Sequence, residues 1–332
     1  MTVDLHVGGE AIRLVVDGMP PVSGESMNDK RLYIQEHLDD VRLLLTREPR
    51  GHRDMFGAVI TDPVSEGALF GMVFMDARRY PYMCGHGMIG ALTAFVEMDW
   101  FRPDAEETTV RVDTPSGIVR AGVRVRRTQG GGLRTESVAI EMESAFAFLL
   151  DQPLEVPGLE RIIVDVVFAG GFFVMVSAPQ TGLALVPENT GRLTRLGMNI
   201  IDAANEQFRV QHPLLTYIDT VDVVEFYDPV DHGRGRGKNL VVLGEGHADR
   251  SACGTGTSAK LALLHRKGEW GAGRTFVNQG ILGTTFEGRI LGETIVGGLP
   301  AVVPEVRGTA HLTGLHRFLL TPDDPFPKGF LL

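Results

Sequence analysis

Two stretches of this chain repeat one another. Tyr82-Met83-Cys84-Gly85-His86-Gly87-Met88-Ile89-Gly90-Ala91 aligns with Ser251-Ala252-Cys253-Gly254-Thr255-Gly256-Thr257-Ser258-Ala259-Lys260, so a Cys-Gly-x-Gly motif occurs twice, about half the chain apart. Each copy opens a helical pattern, reaches a tryptophan (Trp100 or Trp270), and runs into a strand-like segment, 109–112 or 274–277. Each then meets a turn glycine and an isoleucine, Gly117-Ile118 or Gly280-Ile281. A repeat of this length implies two related halves facing one another, each with a cysteine at the head of a helix.

Around this repeat, apolar runs punctuated by Gly and Pro predict strands at 12–16, 56–60, 138–142, 162–167 and 240–243. Helical spacing is confined to 30–45, 87–98, about 190–206 and 255–267. The expected class is therefore α+β, strand-rich with few helices. The basic, glycine-rich segments 126–132 and 232–238 each lie between two strand-like runs and read as solvated hairpin connections. Neither ends as a P-loop does, since Lys238 precedes Asn239.

Composition excludes several roles. A formal charge of −10 disfavours non-specific binding to nucleic acid or an anionic membrane surface. No apolar run approaches a membrane span, and Met1-Thr2-Val3-Asp4-Leu5-His6 lacks the pattern of a secretory signal, so a cytoplasmic protein with a small-molecule partner is expected. The two cysteines form no Cys-x-x-Cys, and the ten histidines show no His-x-x-x-His spacing, so no metal site is expected.

The chemistry expected of the repeat follows from its position. The first amides of a helix lack intrahelical partners, and the aligned peptide dipoles put partial positive charge there. A cysteine at that end is expected to have its thiolate favoured and its pKa lowered. The glycines that follow let the backbone approach a ligand without a Cβ. If the halves face each other, two thiols flank one ligand and two helix ends meet its carboxylate, which is the arrangement racemisation requires. One cysteine as thiolate removes a Cα proton and the other as thiol delivers one to the opposite face, while the carboxylate takes up enediolate-like charge. That chemistry asks for no metal or organic cofactor. Competing readings are a dinucleotide site at Gly85-x-Gly87-x-x-Gly90, weakened because no strand runs straight into the first glycine, inert buried cysteines, and a disulfide between Cys84 and Cys253.

These motifs resemble the proline racemase family, which includes proline racemases, 4-hydroxyproline 2-epimerases and trans-3-hydroxyproline dehydratases. The resemblance runs nearly end to end, through Leu5-His6-Val7-Gly8-Gly9-Glu10, the segment 49–57, Met83-Cys84-Gly85-His86-Gly87 and the segment 248–259. It implies a diaminopimelate epimerase-like fold of two pseudo-symmetric domains, each with strands wrapped around a central helix. The expected domains are 1–150, with the C-terminal segment 316–332 returning to it, and 151–315. It also implies a homodimer. Residue by residue, Cys84 and Cys253 match the proton-transfer cysteines; Gly85, His86, Gly254 and Thr255 match the groups that hold the substrate carboxylate; Asp249 matches the acid near the ring nitrogen. Without the resemblance, Asp249 reads as a loop or cap residue. His86 points away from diaminopimelate epimerases, which resemble this chain but carry Asn there, and Cys253 points away from the dehydratase branch, which carries Thr. Three positions depart from or qualify the pattern: Ala252 stands where Pro is usual, Met88 where Thr is common, and Glu225 where hydroxyproline epimerases often carry His. Glu225 is a candidate substrate-side residue or a structural strand residue. The expected substrates are thus proline or 4-hydroxyproline. A 3-hydroxyproline dehydratase and a non-catalytic binding protein are the alternatives.

Overall fold

The computed structural model describes residues 1–159 and 161–332. The chain divides into two units, one of Met1–Ile140 with Gly308–Leu332 and the other of Glu141–Arg307.

The first unit begins with β1 (Thr2–Val7) and β2 (Glu10–Val15), an antiparallel hairpin turned at Gly8 and Gly9, both with positive φ that glycine adopts freely. Two helices follow, α1 (Met27–His37) and α2 (Asp39–Thr46), where the apolar spacing predicts one helix over 30–45. The break is at Leu38, whose φ of −131° ends α1, and Asp39 restarts the helix by accepting from Arg42. After this crossover β3 (Phe56–Thr61) lies parallel to β2, and β4 (Gly71–Asp76) runs antiparallel to β3. Then comes α3 (Gly85–Glu97), after which β5 (Glu107–Thr114) meets β4 in parallel and pairs antiparallel with β6 (Gly117–Arg127). The glycine-rich connection to β7 (Leu133–Glu141) is a hairpin, closed by the Thr128 amide on the Gly132 carbonyl at 2.8 Å.

The second unit repeats that order of pairings. After β8 (Phe146–Leu154), β9 (Ile162–Phe168) and β10 (Phe172–Ser177) are antiparallel; α4 (Thr190–Gln207) crosses over; β11 (Val221–Asp228) lies parallel to β10 and antiparallel to β12 (Arg236–Leu243). The short β13 (His247–Ala248) and α5 (Gly254–Arg266) follow. Next, β14 (Thr275–Gln279) pairs in parallel with β12 and antiparallel with β15 (Thr285–Val296), which pairs with β16 (Leu299–Gly308). The last strand, β17 (Ala310–His316), pairs antiparallel with β1, so the C-terminal segment belongs to the first unit. The cuts at 140/141 and 307/308 fall earlier than the expected 150 and 316, because β8 pairs with β9 and all of β17 pairs with β1.

Burial explains why the strands read as nearly continuous apolar runs. In β10, Phe172, Val174 and Val176 pack toward α4 while Phe173 and Met175 pack toward α5, so both faces are covered. The same alternation sends Val224, Phe226, Leu240 and Val242 to the α4 side, and it places Glu225, Asn239 and Val241 on the α5 side. The helix α3 is apolar nearly all round and almost entirely buried, packed against β1, β2, β3 and β17. Each fully buried Val, Leu or Phe of these layers contributes roughly 1.5–3 kcal/mol relative to exposure, which holds the two helix ends in place.

Candidate active site

Each sequence-predicted cysteine is the N-cap of its helix. The Cys84 sulfur accepts the Gly87 amide at 3.4 Å and the Cys253 sulfur accepts the Gly256 amide at 3.3 Å. A sulfur thus takes the place that a Ser or Asp oxygen occupies in an ordinary cap, satisfying an amide the helix leaves open. Gly85 and His86 are the first two residues of α3, and Gly254 and Thr255 the first two of α5. Both side chains in the second positions touch their cysteine: His86 Nδ1 lies 3.4 Å from the Cys84 sulfur and Thr255 Oγ1 3.3 Å from the Cys253 sulfur.

The second glycine of each motif has a packing role that the sequence reading assigned to ligand approach. A Cβ on Gly87 would come within 3.2 Å of Phe74, and one on Gly256 would lie 2.8 Å from Val241 and 2.9 Å from Glu225 Oε2. The first helical turn can descend onto the strands only because both positions lack a side chain.

Asp249 organises the approach to the second cysteine. Its Oδ1 accepts the Ser251 amide at 2.8 Å, and Ser251 Oγ accepts the Cys253 amide at 3.0 Å. The carboxylate is buried. Its charge also acts on the thiol: burial, then Asp249, push the Cys253 pKa well above that of an ordinary thiol, against the Thr255 hydroxyl and the Gly256 amide, which favour the thiolate. For Cys253 this runs opposite to the lowered pKa expected at a helix end, because burial and the Asp249 charge outweigh the Thr255 hydroxyl and the Gly256 amide. Cys253 also has φ +55°, a left-handed conformation that costs a residue with a Cβ about 1–3 kcal/mol, whereas Cys84 is extended at φ −148°.

Glu225 is fully buried beneath the first turn of α5, paired with the equally buried Lys260 at 3.0 Å and accepting from Asn239 Nδ2 at 3.3 Å. Burial raises its pKa and lowers that of Lys260, and each partner opposes the other's shift. The Lys260 ammonium also lies 3.7 Å from the Tyr227 ring centre. The candidate substrate-side position is thus a carboxylate committed to a buried ion pair. Met88 and Ala252, the departures noted above, are both buried.

Sequence reasoning missed the polar groups around Ala252. Its carbonyl accepts Asn239 Nδ2 at 3.0 Å, Thr257 Oγ1 at 3.2 Å and Asn278 Nδ2 at 3.3 Å. The available signal was polar residues beside apolar runs: Asn239 heading the run 240–243, and Asn278 directly after Phe276-Val277.

Among the described residues, no group of three or more His, Cys, Asp or Glu side chains is arranged to hold a metal ion, and no helix is long and apolar enough to cross a membrane.

Comparison with known proteins agrees with the motif reading. The sequence model of the family described as proline racemase matches residues 2–331. A proline racemase from Clostridioides difficile is 44% identical over 330 residues, covering 99% of this chain and 97% of that protein. A 3-hydroxyproline 2-epimerase from Burkholderia multivorans is 36% identical, covering 100% and 97%. The crystal structure of a probable proline racemase from Agrobacterium radiobacter K84, with bound carbonate, superposes with a TM-score of 0.87 at 30% identity, covering 100% of this chain and 96% of that one. With the match running from end to end and the cysteine motifs in place, the chain belongs to the proline racemase family and is an isomerase.

Proposed function

We propose that this protein inverts the Cα centre of proline or 4-hydroxyproline, with Cys84 and Cys253 as the acid/base pair. The observation that carries the reading is the duplicated helix end: in each unit a cysteine caps a helix, and its sulfur receives the amide of the third helical residue. The amides of Gly85 and His86, and of Gly254 and Thr255, stand at the first two positions of their helices and are donors for the substrate carboxylate, whose charge grows as the Cα proton leaves. One sulfur as thiolate removes that proton and the other as thiol supplies one to the opposite face, so both sulfurs must reach the same carbon. The raised pKa of Cys253 suits the thiol that donates. A substrate ammonium paired with Asp249 neutralises the charge that pushes the Cys253 pKa up, which eases the exchange of roles in the reverse direction. The presence of Cys253 supports inversion over elimination, which needs a base on one face only.

The test is incubation with L-proline, trans-4-hydroxy-L-proline and trans-3-hydroxy-L-proline in deuterated water. Inversion of proline or its 4-hydroxy derivative with Cα deuteration is expected. A cyclic imine from the 3-hydroxy compound alone would assign a dehydratase, and no reaction with any of the three would leave a binding protein.

A further inference from the structure

We infer that Thr257, Asn239 and Asn278 are positioning residues that clamp the Ala252 carbonyl and so hold the Cys253 sulfur in its reactive orientation. The inference rests on the reading of Cys253 as an acid/base. The peptide between Ala252 and Cys253 is fixed on both sides: its oxygen takes the three donors, at 3.0–3.3 Å, and its N–H is spent on Ser251 Oγ at 3.0 Å. Asn278 Nδ2 also reaches Thr257 Oγ1 at 3.0 Å, which ties two of the donors together. All three clamp residues are fully buried. Asn239 Nδ2 also donates to Glu225 Oε1 at 3.3 Å, which ties the clamp to the buried ion pair with Lys260.

The first motif supplies the control. Thr257 corresponds to Met88, four residues after its cysteine, and Asn239 corresponds to Met72, since Phe74 and Val241 lie under the equivalent glycines. Both counterparts are apolar and buried, and there the cysteine backbone is extended. The polar donors occur at the motif whose cysteine is held at φ +55°. A left-handed cysteine would relax by rotating the preceding peptide, and that rotation would swing the sulfur; three donors on one carbonyl oppose it.

The experiment uses the whole protein and three variants. Thr257→Val keeps shape and removes the donor, Thr257→Ser restores it, and Thr257→Ala serves if the valine variant does not fold. Alkylation of each cysteine by iodoacetamide is followed across pH by peptide mass spectrometry, and Cα deuterium is followed for each proline enantiomer. In Thr257→Val the Cys253 pH profile moves while that of Cys84 stays, kcat for inversion falls roughly 10-fold with KM within about twofold, and one enantiomer exchanges with solvent faster than it inverts. Thr257→Ser follows the wild type. The clamp is overturned if Thr257→Val matches the wild type, if serine fails to rescue, or if both cysteines move together. Should the wild type exchange neither enantiomer, the proposed function fails instead, and the alkylation profiles still decide the clamp.

Discussion

The two Cys-Gly-x-Gly ends satisfy the same helix requirement with different materials. At Cys84 the layer beneath the first turn is apolar, with His86 beside the sulfur: Phe74 lies under Gly87, Ala58 pairs with Phe74 across the strands, and the residue a further turn along the helix is Ala91. At Cys253 the corresponding places hold Val241, Glu225 and Lys260, with Asn239 and Asn278 alongside. The apolar end carries an extended cysteine and the polar end a left-handed one. A helix terminus can thus be presented on plain packing when the backbone is relaxed, whereas a strained residue is accompanied by directional bonds, which fix orientation in a way that packing alone does not.

The comparison breaks first if the cysteines are unequal in function. Cys84→Ser and Cys253→Ser should each lower the inversion rate of proline by about 10²–10⁴-fold, the range for losing a general acid or base, with solvent exchange retained on one face. Inversion at the wild-type rate in either variant, followed by polarimetry, would remove that cysteine from the chemistry.

The next effect is on stability and separates the two supports. Lys260→Met strands a fully buried Glu225 carboxylate and should cost about 3–5 kcal/mol by urea denaturation, whereas Lys260→Met with Glu225→Leu should recover most of it. An equal loss in single and double variants would mean that the ion pair is incidental to the support of α5.

Much of this was legible in the sequence because it is local. A cysteine followed by two spaced glycines at the head of a helical pattern shows in a few residues, and both caps formed where the pattern put them. The hairpin at 128–132 was equally local. The Ala252 clamp was not, because Asn239, Thr257 and Asn278 come from two strands and a helix and meet only in the folded unit. Nor was the Cys253 pKa, which is set by burial that no local pattern reports. The break at Leu38 escaped because periodicity continues through it while the backbone turns.

A smaller effect tests the shared feature. Gly87→Ala and Gly256→Ala should each destabilise by about 1–3 kcal/mol, since both add a methyl to a filled space. Gly256→Ala should cost more, because its methyl meets a carboxylate oxygen as well as Val241. Thermal melts showing no change at either site would remove the packing account of these glycines.

The smallest effect is electrostatic. Burial and Asp249 both disfavour the Cys253 thiolate, so its alkylation should lag that of an ordinary thiol as pH rises. Asp249→Asn keeps an acceptor for Ser251 and removes the charge, so the Cys253 pKa should fall and alkylation at a fixed pH near 8 should increase by about 2- to 5-fold. An unchanged profile would show that desolvation acts alone.

The most direct measurement is the early partition of label when unlabelled L-proline is turned over in deuterated water. Separate donors for the two faces predict D-proline carrying one Cα deuterium while the remaining L-proline stays unlabelled. Deuterium entering both enantiomers at equal initial rates, or D-proline that retains the original proton, would contradict the assignment of Cys84 and Cys253 as an acid/base pair.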